Sequence, residues 1–353
     1  MTRWPNRRIL DLLGIELPIL QAPMAGASGS QMAIAVSNAG ALGALPCAML
    51  SPEQAAGELH GIRQQTSRPI NVNFFCHQPP LVDAAAMRRW QELLRPYYEE
   101  LQLEPPPAGG PTRGAFNEAF CDMLEACKPE VVSFHFGLPE ESLLARVKAT
   151  GARILSTATS VAEALWLESH GCDAVIAQGI EAGGHRGMFL SGDVATQAGT
   201  LSLVPQIVDA IQLPVIAAGG IGDARGIAAC LALGAAAVQL GTAYLLCPEA
   251  TISPLHRQAL KKSTDQTVIT NIFSGRPARG IRNRIVAEIG PMSPLAPDFP
   301  LASLAIAPLR KRSEAIGSLD FMQLWAGQAA GLCRELPADQ LTHSLAAEAL
   351  AMI

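Results

Sequence analysis

The chain has 353 residues, of which 49% are hydrophobic and 16% charged, and its net charge is −5. This composition supports a large buried core and excludes intrinsic disorder. With no long basic run, it gives no sign of a nucleic-acid partner.

The opening stretch, MTRWPNRRILDLLGIELP, lacks the apolar core of a signal peptide. No segment reaches the ~18 consecutive apolar residues of a membrane span. A soluble, cytoplasmic protein without a membrane partner is expected. Short apolar runs then alternate with longer Ala/Leu-rich stretches. The runs are PILQAP (18–23), ALGALP (41–46), PINVNFF (69–75), VVSFHFG (131–137), RILSTAT (153–159), AVIAQG (174–179), PVIAAGG (214–220) and AAVQLGT (236–242). Each is continuous rather than alternating, as in parallel strands buried on both faces. Helical patterns over 31–39, 52–66, 140–149, 160–170, 204–211 and 223–233 separate most of them. A βα unit counted to eight predicts an α/β fold, a (β/α)8 TIM barrel.

Two regions break the count. Residues 76–130 are longer than one connecting helix requires and contain a Pro/Gly-rich break, LEPPPAGGPTRG (103–114). Residues beyond the eighth run are mostly helical and punctuated by proline. The expected organisation is a barrel over 1–245 with an insertion at about 76–130. A smaller helical lobe over 246–353 would cover the C-terminal face of the barrel and return some residues to it. The eight cysteines, at 47, 76, 121, 127, 172, 230, 247 and 333, form no C-x-x-C and no zinc spacing. They are expected as reduced thiols, with no metal site.

Active sites of TIM barrels lie at the C-terminal ends of the strands. There the sequence places Gly, amides and hydroxyls and few carboxylates, which suits a polar, flat, uncharged ligand. AAGGIGDARG (217–226) and QLGTAY (239–244) end the seventh and eighth strands, where TIM barrels commonly bind phosphate through loop amides and a helix N-terminus. Gly219 and Gly220 allow close backbone approach. Asp223 can cap the next helix, while Gly241 and Thr242 offer an amide and a hydroxyl. GGIGDARG lacks the G-x-G-x-x-G spacing of a dinucleotide site.

The loop QGIEAGGHRG (178–187) carries His185, an imidazole able to take a proton from carbon or to hold a substrate oxygen. In the same loop, Glu181 is expected as a solvated carboxylate and Arg186 as an outward-facing cation. His135 reads equally as a satisfied core histidine or a pocket residue. Asn73 reads as a contact to a heterocycle or as a stitch between barrel loops.

QAPMAG, NVNFF, FHFG, DAVIAQGIEAGGHRG, PVIAAGGIGDARG, AVQLGTAYLLCPEA and TNIFSGRPARGIRNR occur in an order and spacing that resemble the nitronate monooxygenases of the first class. The resemblance runs from about residue 10 to the C-terminus. It implies noncovalent FMN with its phosphate end at Gly219, Gly220, Gln239, Leu240, Gly241 and Thr242. Ala22, Pro23 and Met24 would lie against the flavin ring, with Asn73, Gln178 and Gly183 at the ring or ribityl chain. It implies His185 as the catalytic histidine and His135 as a second pocket histidine. Some members place Tyr and Lys over the pocket from a segment like DFPLASLAIAPLRKR (298–312). Here that segment has no Tyr and offers Phe299 and Ser303. The implied reaction oxidises nitronates or nitroalkanes with O2, by a monomer or homodimer. The alternatives are an NAD(P)H-dependent flavin reductase acting on quinones or enoyl thioesters, a non-catalytic FMN-binding protein, and an FMN-free barrel isomerase.

Overall fold

The apolar runs pair side by side, because each strand is too apolar to leave either face in water. A computed structural model describes residues 4–107, 114–262 and 266–353. After helix α1 (Arg8–Leu13), the first half of the chain runs β1 (Ile19–Gln21), α2 (Ser30–Asn38), β2 (Gly43–Pro46), α3 (Pro52–Arg63), β3 (Ile70–Phe75), α4 (Ala84–Glu100), α5 (Glu118–Cys127), β4 (Val131–His135) and α6 (Glu141–Ala149). It continues through β5 (Arg153–Ala158), α7 (Val161–Ser169), β6 (Ala174–Gln178), a short β7 (Gly184–His185), α8 (Thr200–Ala210), β8 (Val215–Ala218), α9 (Ala224–Ala232) and β9 (Ala237–Leu240).

Eight parallel strands form one sheet in the order β1-β9-β8-β6-β5-β4-β3-β2. A parallel bridge between Leu20 and Leu42 brings its two ends together. This is the (β/α)8 barrel expected from the sequence, with β8 and β9 as its seventh and eighth strands. Side chains start the helices at the strand ends: Ser51 forms a capping box with Gln54, and Asn117, Ser160 and Asp223 each accept an amide of the following first turn.

The rest of the chain forms α10 (Pro254–Lys262), β10 (Thr267–Thr270), β11 (Ala278–Ile281), α11 (Arg284–Glu288), α12 (Ala302–Ala315) and α13 (Ala338–Leu350). Alongside the helices there is a three-stranded antiparallel sheet, β10-β11-β7, whose third strand belongs to the loop after β6. A second apolar cluster joins Trp90, Leu94 and Tyr98 of α4 to Ala302, Ile306 and Leu309 of α12. Trp90 Nε1 donates to the Ala302 carbonyl at 3.2 Å, fixing that contact. The long insertion therefore has two fates. Its α4 packs on α12, while α5 packs between α3 and α6 as an ordinary barrel helix. Residues 108–113 of the Pro/Gly break lie outside the described residues. Helix α13 packs against α9 and α2, taking the eighth place in the ring of helices. Tyr244 and Thr342 share a 2.8 Å hydroxyl contact there.

Candidate active site

The backbone of His185 is held from three sides. Gln178, the last residue of β6, donates from Nε2 to the His185 carbonyl at 3.0 Å and accepts the Gly187 amide on Oε1 at 2.8 Å. His135, the last residue of β4, places Nε2 at 3.2 Å from the same carbonyl and Nδ1 at 3.0 Å from Thr157 Oγ1. A carbonyl only accepts, so His135 is protonated on Nε2 and its Nδ1 accepts from the Thr157 hydroxyl. On the third side, His185 pairs with Ala278 across the β7–β11 ladder. The side chain is held as well: His185 Nε2 lies 2.8 Å from Ser274 Oγ.

Aromatic rings enclose this imidazole. Ring centroids of Phe299, Trp325, Phe75 and Phe136 stand 5.2, 5.7, 6.1 and 6.2 Å from that of His185. Arg276 lies over the Phe136 ring at 3.8 Å and donates to the Met188 carbonyl. Phe136 has φ 72, a left-handed conformation that costs a β-carbon-bearing residue about 1–3 kcal/mol and gathers at functional sites. Burial pushes His185 down to about 3, aided by the positive Arg276 and by His77. His135 falls to about 3 by burial and then by His185 and Arg276, and His77 to about 4 by burial and then Arg276. All three imidazoles are neutral at pH 7.

Two expectations for the loop are corrected. Arg186 does not face solvent; it is wholly buried. Its guanidinium donates to the carbonyls of Gly179 (2.7 Å) and Gln178 (2.8 Å) and to Gln197 Oε1 (2.6 Å). The carbonyls at the end of β6 need donors, and a planar fork can serve both. Burial lowers Arg186 to about 9, which still leaves it charged at neutral pH. Nor is Glu181 a free carboxylate. It accepts the Thr200 amide (2.9 Å) and hydroxyl (2.9 Å) at the start of α8, where the helix dipole favours negative charge.

The other half of the site lies at β8 and β9. Gly219 and Gly220 have φ 106 and 70, and a Cβ on Gly219 would stand 3.0 Å from the Gly179 carbonyl. Asp223 caps α9 through the amides of Arg225 and Gly226, as expected. Among the described residues, the amides of Gly219, Gly220, Gly241 and Thr242 have no acceptor. The half-buried Ala22–Pro23–Met24 segment lies alongside, since a Cβ on Gly241 would stand 3.4 Å from Ala22 Cβ and 3.7 Å from Met24 Sδ. The Leu240 carbonyl accepts the Ala22 amide at 2.8 Å and ties the two strand ends. Gln239 Oε1 and Asn71 Oδ1 are buried without a partner among the described residues.

Several side chains are engaged with the protein itself. Asn73 Nδ2 donates to Ser133 Oγ at 2.9 Å, a stitch from β3 to β4. Thr242 Oγ1 accepts the Gly327 amide at 2.9 Å, and the Ser303 hydroxyl donates to the Pro300 carbonyl at 2.6 Å. A Cβ on Gly183 would stand 2.5 Å from the Gly327 nitrogen, so this glycine admits the 326–327 backbone between the β6 loop and Thr242. The structure thus gathers His185, His135, Gln178 and Phe299 in one group. A second group comprises Ala22, Met24, Gly219, Gly220, Gln239, Gly241 and Thr242. Sequence reasoning assigned no role to Ser274, Arg276, His77, Phe75, Phe136 or Trp325. The signal was present for four of them, since Ser274 and Arg276 sit inside TNIFSGRPARGIRNR, Phe75 inside NVNFF and Phe136 inside FHFG. A surface groove of 320 Å³ lined by Ala48, Ser51, Asn117 and Phe120 carries no ionisable side chain and is not this site. Among the described residues no His, Cys, Asp and Glu cluster could hold a metal, and no helix is long and apolar enough to cross a membrane.

Barrel, strand-end glycines and an enclosed neutral histidine together define a TIM-barrel enzyme. A family model described as nitronate monooxygenase matches residues 6–348. The chain belongs to the nitronate monooxygenase family and is an oxidoreductase. It is 44% identical to a nitronate monooxygenase of Pseudomonas aeruginosa, over 97% of this chain and 98% of that one. Its structure is similar to a nitroalkane oxidase from Streptomyces ansochromogenes, with a TM-score of 0.89, 40% identity and 98% of both chains covered. It is also similar to FabK from Thermotoga maritima, with a TM-score of 0.74 and 29% identity over 98% of this chain and 96% of that one.

Proposed function

We propose that this chain binds FMN and uses O2 to oxidise alkyl nitronates, such as propionate 3-nitronate, and neutral nitroalkanes to carbonyl compounds and nitrite. The observation that carries this reading is the neutral His185, held within a ring of aromatic side chains beside the cation of Arg276.

The residues present fit a flavin. Free amides at Gly219, Gly220, Gly241 and Thr242, close to the N-terminus of α9, suit its phosphate. The unpartnered Gln239 Oε1 offers an acceptor at the β9 end, and the Ala22–Met24 backbone and Leu240 offer a flat approach. Asn73, Gln178 and Gly183 shape that approach. The flavin supplies the electron acceptor and its reoxidation by oxygen. The protein does the rest. Neutral His185 takes the α-proton of a nitroalkane or donates a hydrogen bond to a nitronate oxygen. Arg276 faces the negative charge, and Phe136, Phe299 and Trp325 keep water out. His135 supports His185 from below, and Ser303 shapes the turn that presents Phe299. Helices α4 and α12, with the 298–300 segment, serve as the lobe over the substrate.

The test is a visible spectrum of the purified protein followed by oxygen uptake and nitrite release with propionate 3-nitronate. Flavin absorbance with turnover supports the reading. An absent flavin, or no turnover, overturns it, and rapid flavin bleaching by NADH without oxygen points to the reductase. His185→Asn should abolish neutral-nitroalkane turnover by about 10²–10⁴-fold and reduce nitronate turnover less. All eight cysteines are free thiols, which supports the reducing cytoplasm as its compartment, where it works as a monomer or homodimer.

A further inference from the structure

A neutral imidazole has one proton and one lone pair, so His185 can act as a base only at whichever nitrogen is bare. The structure bears on which one that is. Ser274 is buried, in the turn between β10 and β11. Its hydroxyl oxygen has three neighbours: His185 Nε2 at 2.8 Å, the Arg276 carbonyl at 3.3 Å and the Arg276 amide at 3.4 Å. The carbonyl can only accept and the amide can only donate. With the serine proton on the Arg276 carbonyl, the two oxygen lone pairs receive the Arg276 N–H and a His185 Nε2–H. Every group is then satisfied. Turning the serine proton toward Nε2 takes from the Arg276 carbonyl the donor it has among the described residues, and a polar group left unpaired within a protein is costly.

Resting on the proposed proton abstraction, we propose that Ser274 is a positioning residue that fixes His185 as the Nε2-protonated tautomer and makes Nδ1 the proton acceptor. Nδ1 has no partner among the described residues. His185 is only partly buried and Nδ1 is not shut off from solvent, so this nitrogen is left open to a substrate. In the step, the α-C–H bond of the nitroalkane breaks and its proton goes to Nδ1. The electron pair forms the C=N bond of the nitronate, and the negative charge moves to the nitro oxygens. The imidazolium keeps Nε2–H on Ser274 throughout, so no hydroxyl has to turn during the transfer. The charged and titratable groups around the ring are Arg276, His77 and His135. The two other imidazoles are neutral, which leaves Arg276 to face the new nitronate.

The experiment uses holoprotein labelled with ¹⁵N at its seven histidines, with His185 signals identified by their loss in His185→Gln. Long-range ¹H–¹⁵N correlation at pH 7.5 reads which ring nitrogen is protonated. The expected result is a protonated Nε2 and a bare Nδ1 in wild type. Ser274→Ala should mix the tautomers and lower the ratio of nitroalkane to nitronate turnover at least tenfold, with Ser274→Thr restoring both. A wild-type proton on Nδ1, or an unchanged ratio in Ser274→Ala, overturns the proposal. If neither substrate is turned over, the proposed function fails, and the wild-type spectrum still decides the tautomer.

Discussion

His135 Nε2 stands 3.2 Å from the backbone carbonyl of His185, so one imidazole holds the main chain that carries the other. The same carbonyl also receives Gln178 Nε2 at 3.0 Å. The pair behaves as a truss: β4 and β6 each send one side chain to the loop after β6.

Removing one strut should loosen the loop without emptying the pocket. In His135→Phe the His185 carbonyl keeps Gln178 and loses a hydrogen bond worth about 0.5–1.5 kcal/mol. Turnover should fall up to about tenfold, while flavin per chain stays at the wild-type level. Gln178→Leu should cost more, because that amide also holds the Gly187 nitrogen. Steady-state rates normalised to bound flavin check both. Equal, wild-type rates would mean that neither strut governs the loop.

Arg276 should tune the base. Its positive charge is the second cause, after burial, of the depressed His185 value of about 3. In Arg276→Gln that charge disappears and the pKa must rise, though burial keeps it below the ordinary 6.5. The acid limb of kcat/KM for a nitroalkane should therefore move to higher pH. A limb that stays in place or moves to lower pH shows that the Arg276 charge does not reach the imidazole. The variant should also weaken binding of the anionic nitronate, read as a raised KM.

The same depressed values make the fold sensitive to acid. His77, His135 and His185 have folded values of about 4, 3 and 3 against 6.5 ordinarily. Below pH 6.5 the unfolded chain binds protons that the folded chain refuses, so stability is full above that point and is lost as pH falls toward the folded values. Each histidine contributes a loss of up to about 1.4 kcal/mol per pH unit across that window. Urea midpoints should be flat from pH 7 to 8 and fall steeply from pH 6 to 4.5. In His135→Phe the fall should be shallower.

Much of this was legible in the residues, and the gaps have physical causes. Continuous apolar runs located all eight barrel strands, because burial on both faces demands them. The glycine pair at 219–220 and the Asp223 cap could be read locally, since they depend on φ and on one helix turn. Arg186 could not. Its neighbours in sequence are Gly and His, but its partners are the strand-end carbonyls of Gln178 and Gly179, which only the folded loop presents. Ser274 and Arg276 meet His185 through β11 pairing with β7, a contact across some 90 residues that leaves no local periodicity. Gly183, set at the ring or ribityl chain by the family resemblance, also has a packing reason that only the fold reveals, since a Cβ there would stand 2.5 Å from the Gly327 nitrogen.

Arg186 gives the sharpest stability test. Replacing it with Met keeps most of the apolar stem and deletes the guanidinium. The carbonyls of Gln178 and Gly179 and the Gln197 amide oxygen would each lose their Arg186 donor inside the protein. Hydrogen bonds to a charged group contribute about 1.5–3 kcal/mol each before relaxation, and removing a buried cation also removes its own desolvation cost. The net loss should be about 2–4 kcal/mol, seen as a lower urea midpoint at an unchanged slope. Arg186→Lys should recover less than half of it, because one ammonium cannot span two carbonyls and a side-chain amide as the planar fork does. Activity per folded molecule should fall as well, since the carbonyls it grips end the strand from which the His185 loop departs. A midpoint within about 0.5 kcal/mol of wild type, the usual range for surface changes, would show that water or a rearranged Gln197 replaces the guanidinium without loss.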